Sequence, residues 1–173
     1  MKRVASILFL FALWFPGSGQ TASNNKQKLE DWKDARFGMF IHWGPVSLKG
    51  TEIGWSRGRE IPVDEYDNLY KKFDAVSFDA NSWVSVAKAG GMKYIILTTK
   101  HHDGFCLWNT RQTDFNIMNS PLHRDVVKEL AEACKKQGIA FGTYYSTTDW
   151  HHPDFPLTSP GGTISRPAYD LDA

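Results

Sequence analysis

The sequence predicts an α/β fold, the N-terminal portion of a (β/α)8 TIM-like barrel truncated after about three strands. Three observations carry this. Strand-like segments alternate with segments of helical periodicity, the order that builds a parallel sheet. Residues 94–99, Tyr-Ile-Ile-Leu-Thr-Thr, run apolar and β-branched without the polar alternation of a half-exposed strand, so this strand is expected to be buried on both faces. Each predicted strand then leads into a polar, aromatic loop, and functional groups at the C-terminal ends of successive strands are what a barrel presents at its catalytic face. No strand-to-helix turn carries a Gly-rich phosphate fingerprint, which argues against a dinucleotide-binding sheet. A complete barrel takes about 250 residues; the 173 residues here supply about three strands.

The elements follow in order. Lys2 and Arg3 precede an apolar run from Val4 to Phe15, and Pro16-Gly17-Ser18-Gly19 supplies small residues after it. That is the three-part pattern of a secretory signal over residues 1–19, too short an apolar run to serve comfortably as a membrane anchor. Residues 20–28 read as a polar, flexible lead-in. Residues 36–43 read as the first strand, ending at His42-Trp43-Gly44. Residues 62–73 read as a helix, with Pro62 in its first turn and Tyr66, Leu69, Tyr70 and Phe73 at helical spacing. Asp79 caps a second helix that turns Trp83, Val86 and Ala87 inward and stops at Gly90-Gly91. After the strand at 94–99, Asp125 opens a third helix with Val126, Val127, Leu130, Ala131 and Cys134 on one side. Lys135, Lys136 and Gly138 end it, and residues 139–145 form the third strand.

Composition narrows the function. Hydrophobic residues make 42% and charged residues 23%, the balance of a globular domain with a sizeable core. Lys and Arg total 20 against 19 Asp and Glu, with no basic cluster, so nucleic acid is not an expected partner. The two cysteines, Cys106 and Cys134, are too few for a disulfide framework or a Cys-based zinc site, and read as buried thiols. The seven Trp residues, with Gly, His and Asp beside several of them, suit a site that stacks on sugar faces.

The candidate site residues are His42, Glu52, Trp55, His101, His102 and Tyr144. In isolation His42 is as readily structural as functional. Adjacent His101-His102 can bind a metal, hydrogen-bond a polar ligand or brace loops. Side chains of neighbouring residues on a strand point to opposite faces, so joint action needs an irregular backbone there. His151-His152, flanked by Asp149 and Asp154, also admits zinc, but no familiar metal spacing such as His-Glu-x-x-His occurs, and no metal or cofactor is expected. Lys100, Asp103, Arg124 and Asp125 are expected to orient loops by ion pairing and capping. One of Tyr144 and Tyr145 faces the barrel axis.

These motifs carry a resemblance. Arg36-Phe-Gly-Met-Phe-Ile-His-Trp-Gly44, Gly50-Thr-Glu52, Lys93-Tyr-Ile-Ile-Leu-Thr-Thr-Lys-His-His-Asp-Gly-Phe-Cys-Leu-Trp108, Thr113-Asp-Phe-Asn116, Arg124-Asp-Val-Val127 and Phe141-Gly-Thr-Tyr-Tyr-Ser146 closely resemble the N-terminal half of the α-L-fucosidase catalytic barrel, glycoside hydrolase family 29. The resemblance makes residues 29–173 a partial catalytic barrel acting on fucosylated oligosaccharides or glycoconjugates. It implies that His42, His101 and His102 hydrogen-bond fucose hydroxyls, that Glu52 binds the sugar, that Trp55 lies near its apolar side and that Tyr144 faces it. It implies hydrolysis with retention, by an Asp nucleophile at the end of the fourth strand and a more distal acid/base carboxylate, beyond residue 173. Asp149, Asp154, Asp170 and Asp172 do not match the nucleophile's motif, so this stretch alone is expected to be inactive. Two other readings stand beside it: a metal-dependent hydrolase on a similar barrel, and a fucose-binding lectin without catalysis. Export leaves periplasmic, lysosomal or extracellular destinations open, and the oligomeric state is not indicated.

Overall fold

A computed structural model describes residues 22–155. The expected signal at 1–19 and the carboxylates of Asp170 and Asp172 lie outside them. The first element corrects the expected lead-in: from Ala22 the chain is helical, as α1 (Ala22–Ala35). Lys, Gln, Leu and Glu are good helix formers, and Gln27–Asp31 and Glu30–Lys33 side-chain pairs brace its surface.

Three strands, β1 (Gly38–Ile41), β2 (Tyr94–Lys100) and β3 (Ala140–Tyr145), form a parallel sheet in the order β1-β2-β3. Its register aligns Met39, Ile95 and Phe141 in one row and Phe40, Ile96 and Gly142 in the next. The two rows face opposite sides, because side chains alternate along a strand. The Met39 row and Leu97 bury against α3 (Ala80–Ala89) and α4 (Val126–Gln137), in a core with Val84, Ala87, Val126, Leu130 and Cys134. The expected burial of β2 on both faces holds only for its C-terminal part: Ile95 and Leu97 are fully buried on one face and Thr98 is buried on the other, whereas Tyr94 and Ile96 are only partly covered among the described residues. On that second face large groups lie over small ones. A Cβ on Gly38 would stand 2.4 Å from the Tyr94 ring, and one on Gly142 would stand 2.5 Å from Ile96 Cδ1.

The helices begin and end where side-chain chemistry sets them. The Asp79 carboxylate accepts from the Asn81 and Ser82 amides, and the Asp125 carboxylate from Lys128, each satisfying amides that a helix start leaves open. Gly138, in the left-handed conformation, closes α4. Two expectations need correction. The helix expected over 62–73 is short: α2 (Val63–Asn68) gives way to a 3₁₀ turn over Leu69–Lys72. In α3 the buried stripe is Ala80, Val84 and Ala87, while Val86 is 64% exposed. Cys106 and Cys134 are buried free thiols, and burial pushes the Cys106 thiol up to about 12, far from a reactive thiolate.

Candidate functional site

The C-terminal end of the sheet carries the site. His42 follows β1 and its Nδ1 lies 2.9 Å from Thr98 Oγ1. The β2–β3 pairing shifts register between Thr98 and Lys100, and the chain enters a turn at His102. That irregularity brings both neighbouring imidazoles together, with His101 and His102 ring centroids 4.5 Å apart. Tyr144, from β3, stacks on His101 at 5.8 Å and lies 6.0 Å from His42; His42 and His101 are 5.4 Å apart. Of the two tyrosines, Tyr144 faces this cluster, while Tyr145 lies against Trp108 and under the Lys100 ammonium. The structure thus gathers His42, His101, His102 and Tyr144 from three strand ends.

Trp55 joins from the loop after β1, its indole 5.6 Å from His102 and 5.1 Å from Trp150. Glu52 lies three residues earlier in that loop and is exposed; its carboxylate makes no hydrogen bond or ion pair with the described residues, and only its backbone carbonyl is engaged, by Ser56. No carboxylate among the described residues hydrogen-bonds His42, His101, His102 or Tyr144.

Hydrogen bonding sets the tautomer of His102, and burial without a partner that of His101. Ser146 Oγ donates its one proton to the Thr148 carbonyl at 2.8 Å, so it accepts from His102 Nδ1 at 2.6 Å. His102 therefore carries its proton on Nδ1 and keeps Nε2 as an acceptor. His101 is opposite. Its Nδ1 is buried and has no partner among the described residues. A buried lone pair left unpaired costs less than an unpaired N–H, so the proton belongs on Nε2, which becomes a donor. Both rings stay neutral near pH 7. Burial first, then the charges of His102, His42 and Lys100, brings His101 down to about 4; burial and Lys100 also lower His102. Side by side, the two rings offer one donor and one acceptor.

Loop-orienting groups surround them. Lys100 Nζ donates to the Ser146 and Thr148 carbonyls at 2.9 and 3.2 Å and pairs with Asp149. Asp149 also accepts from the His151 and His152 amides, so that part of the sequence is a turn held by a carboxylate. The His151 ring stacks on Phe115 at 4.0 Å. Among the described residues no three His, Cys, Asp or Glu side chains are grouped to hold a metal ion. Asp103 orients its loop as expected, but by hydrogen bonds and not an ion pair: it is buried, accepts from the Tyr66 hydroxyl at 2.7 Å and caps its own turn at the Phe105 amide.

Burial raises Asp103 to about 6, against the hydrogen bonds from Tyr66 and Phe105. As pH falls from 6 toward 4, the folded chain takes a proton at Asp103 that the unfolded chain does not, which stabilises the fold. Over much the same interval the unfolded chain protonates His101 and the folded chain does not, which destabilises it. The two contributions oppose each other. Asp103→Asn is therefore expected to widen the melting-temperature deficit relative to wild type as pH falls from about 6.5 to about 4. A deficit independent of pH would show that Asp103 does not titrate in this range.

Sequence reasoning missed Thr98, Ser146, Trp150, Tyr66 and Phe40. Trp150 and Ser146 lie in the polar, aromatic loop after the third strand, and that composition is the signal that would have found them. Phe40 is 55% exposed, with its ring 5.0 Å from His42, and the alternation of β1 places it on the site's face.

The family model described as alpha-L-fucosidase matches residues 18–168. The plasma alpha-L-fucosidase of Rattus norvegicus is 38% identical over 152 residues, covering 77% of this chain and 33% of the rat protein. Among solved structures, alpha-L-fucosidase isoenzyme 1 from Paenibacillus thiaminolyticus superposes with a TM-score of 0.72 at 41% identity, covering 79% of this chain and 32% of that one. An alpha-L-fucosidase from Bacteroides thetaiotaomicron, trapped as a covalent intermediate with 2-fluoro-fucosyl fluoride, superposes at 0.71 with 34% identity, covering 78% and 33%. The chain spans about a third of the length of these relatives. With motifs, parallel sheet and long match in agreement, it belongs to the alpha-L-fucosidase family.

Proposed function

We propose that these residues build the first three strands of a (β/α)8 barrel and most of the sugar subsite of an exported, retaining α-L-fucosidase. The observation that carries this reading is the tautomer-set pair: a donor on His101 and an acceptor on His102, beside His42 and Tyr144. Neighbouring hydroxyls of a sugar can be held by such a pair, each hydroxyl being both donor and acceptor. L-Fucose is a deoxy sugar whose methyl group favours an aromatic wall, and the exposed Phe40 ring and Trp55 offer aromatic surface beside the imidazoles. Glu52, free to turn toward the ligand, adds an acceptor at the rim.

Binding alone does not break a glycosidic bond, because holding ground state and transition state equally leaves the barrier unchanged. Retention needs a carboxylate to attack the anomeric carbon and a second carboxyl to protonate the leaving oxygen, about 5–5.5 Å apart. Asp103 is buried under Tyr66 and Asp149 is held by Lys100, so neither is placed for those tasks. The proposal assigns both to the part of the barrel outside residues 1–173, and the covalent intermediate trapped in the Bacteroides relative supports that chemistry.

The test is the anomer formed. The full-length enzyme should release α-L-fucose first from an aryl α-L-fucoside, followed by NMR before mutarotation, while residues 1–173 alone should give no turnover. Initial release of the β-anomer would overturn the retaining mechanism. Turnover by residues 1–173, unaffected by Glu52→Gln, would place the catalytic pair within them.

A further inference from the structure

Resting on that reading of the site, we propose that Tyr66 and Asp67 of α2 are positioning residues for the sugar subsite, tying together the three loops that form it. Neither lies within the motifs quoted above, and no hydrogen bond or ring contact joins either to His42, His101, His102 or Tyr144. Tyr66 Oη accepts from the Gly54 amide at 2.7 Å and donates to Asp103 Oδ2 at 2.7 Å. One buried hydroxyl thereby joins the loop that carries Glu52 and Trp55 to the turn that carries His101 and His102. Asp67, the next residue, binds Arg57 Nε and Nη2 at 2.7 and 2.8 Å, holding the far end of the Glu52–Trp55 loop. Its second oxygen lies 3.3 Å from His151 Nδ1, in the loop that carries Trp150.

The same three loops also meet in the ring triangle of Trp55, His102 and Trp150. Its centroid separations are 5.6, 5.1 and 5.1 Å, and each ring comes from a different one of the three loops. Loops of this kind would otherwise move independently. A buried tyrosine and a partly buried aspartate on one short helix hold them in one arrangement. Placement matters because a displacement of about 1 Å at a sugar-binding group is enough to cost a large factor in rate.

Electrostatics agrees with a strut that is built to stay closed. Burial pushes Asp67 up, but hydrogen bonds and charge from Arg57 and His151 outweigh it and keep its carboxyl below the usual range. Tyr66 is raised by burial and by the Asp103 charge, so its hydroxyl keeps the proton it donates.

The experiment uses the full-length enzyme with [13Cε1]-histidine, comparing wild type, Tyr66→Phe, Asp67→Asn and, as a control, Tyr70→Phe. Phe fills the space of Tyr66, so the first variant removes the tie and keeps the packing. Without substrate, the His101 resonance is expected to titrate at least about one unit higher in Tyr66→Phe, because loosening the turn admits water to a ring held low by burial. With substrate, the inhibition constant for L-fucose and KM should each rise about tenfold in Tyr66→Phe and severalfold in Asp67→Asn, while Tyr70→Phe leaves them unchanged. In a His102→Ala background the Tyr66→Phe effect should shrink to below about threefold, since the tie then has less to position. An unchanged His101 titration in Tyr66→Phe, or a lowered melting temperature with unchanged fucose affinity, would overturn the proposal. If wild type neither binds fucose nor cleaves fucosides, the fucosidase reading falls by itself, and the substrate-free titration still decides whether Tyr66 positions the turn.

Discussion

Replacing His101 with Ala in the full-length enzyme is expected to lower kcat/KM for an aryl α-L-fucoside by roughly 5- to 150-fold, equivalent to about 1–3 kcal/mol of transition-state stabilisation. His101 is the member of the cluster with most to lose. It is 5% exposed, lies against both Tyr144 and His42, and is the ring whose buried, unpartnered Nδ1 leaves the proton on Nε2. Its loss removes the donor and frees Tyr144 to move into the vacated space. The metal-dependent alternative makes another forecast, a divalent ion bound by wild type and lost with the imidazole. Steady-state kinetics together with elemental analysis of both proteins separates the two. A kcat/KM within twofold of wild type would remove His101 from the site.

Much of the frame was legible because its signals are local. The run at 94–99 is a strand by its β-branched, apolar composition, and α4 is bounded by an Asp cap and a Gly stop that act within one turn. Where two local readings compete, the sequence does not choose. Trp83, Val86 and Ala87 make one plausible helical stripe, and Ala80, Val84 and Ala87 make another. The sheet and α4 select the second, which is a tertiary fact. The helix α1 was missed for a related reason. Its residues have good helix propensity but no apolar stripe, and a reading led by periodicity passes over propensity alone.

The site divides in the same way. Motif matches brought His42, His101, His102 and Tyr144 forward, and the structure gathers them. The reason two adjacent histidine rings lie together was hidden, because it lies in a register shift between β2 and β3 that involves residues some 45 positions apart. Tyr66 and Asp103 are 37 residues apart and joined by one hydroxyl. No spacing rule brings them together. Their sequence surroundings announce only a helix and a loop, so their roles emerge only once the loops are seen in contact.

Gly54→Ala is expected to have the other large effect, and Gly50→Ala supplies its control. Both glycines lie in the loop that carries Glu52 and both have positive φ, +73° and +66°. An L-residue in that region costs about 1–2 kcal/mol in either place. Their surroundings differ. A Cβ at Gly50 meets nothing within 4 Å, whereas one at Gly54 would stand 2.6 Å from His101 Nδ1 and 3.2 Å from Cε1. The imidazole is not a flexible chain end that can swing away, being wedged between His42, His102 and Tyr144. Either the ring is displaced or the loop lifts, and lifting breaks the Gly54 amide's bond to Tyr66. Gly50→Ala should therefore lower the melting temperature by a few degrees with fucose affinity kept. Gly54→Ala should lower it at least as far and reduce kcat/KM by roughly 100-fold or more, as loss of a site group together with its positioning tie. Melting curves and kinetics on the two variants provide the comparison. Equal kinetics for both would mean that the close approach of Gly54 to His101 has no part in holding the imidazole in place.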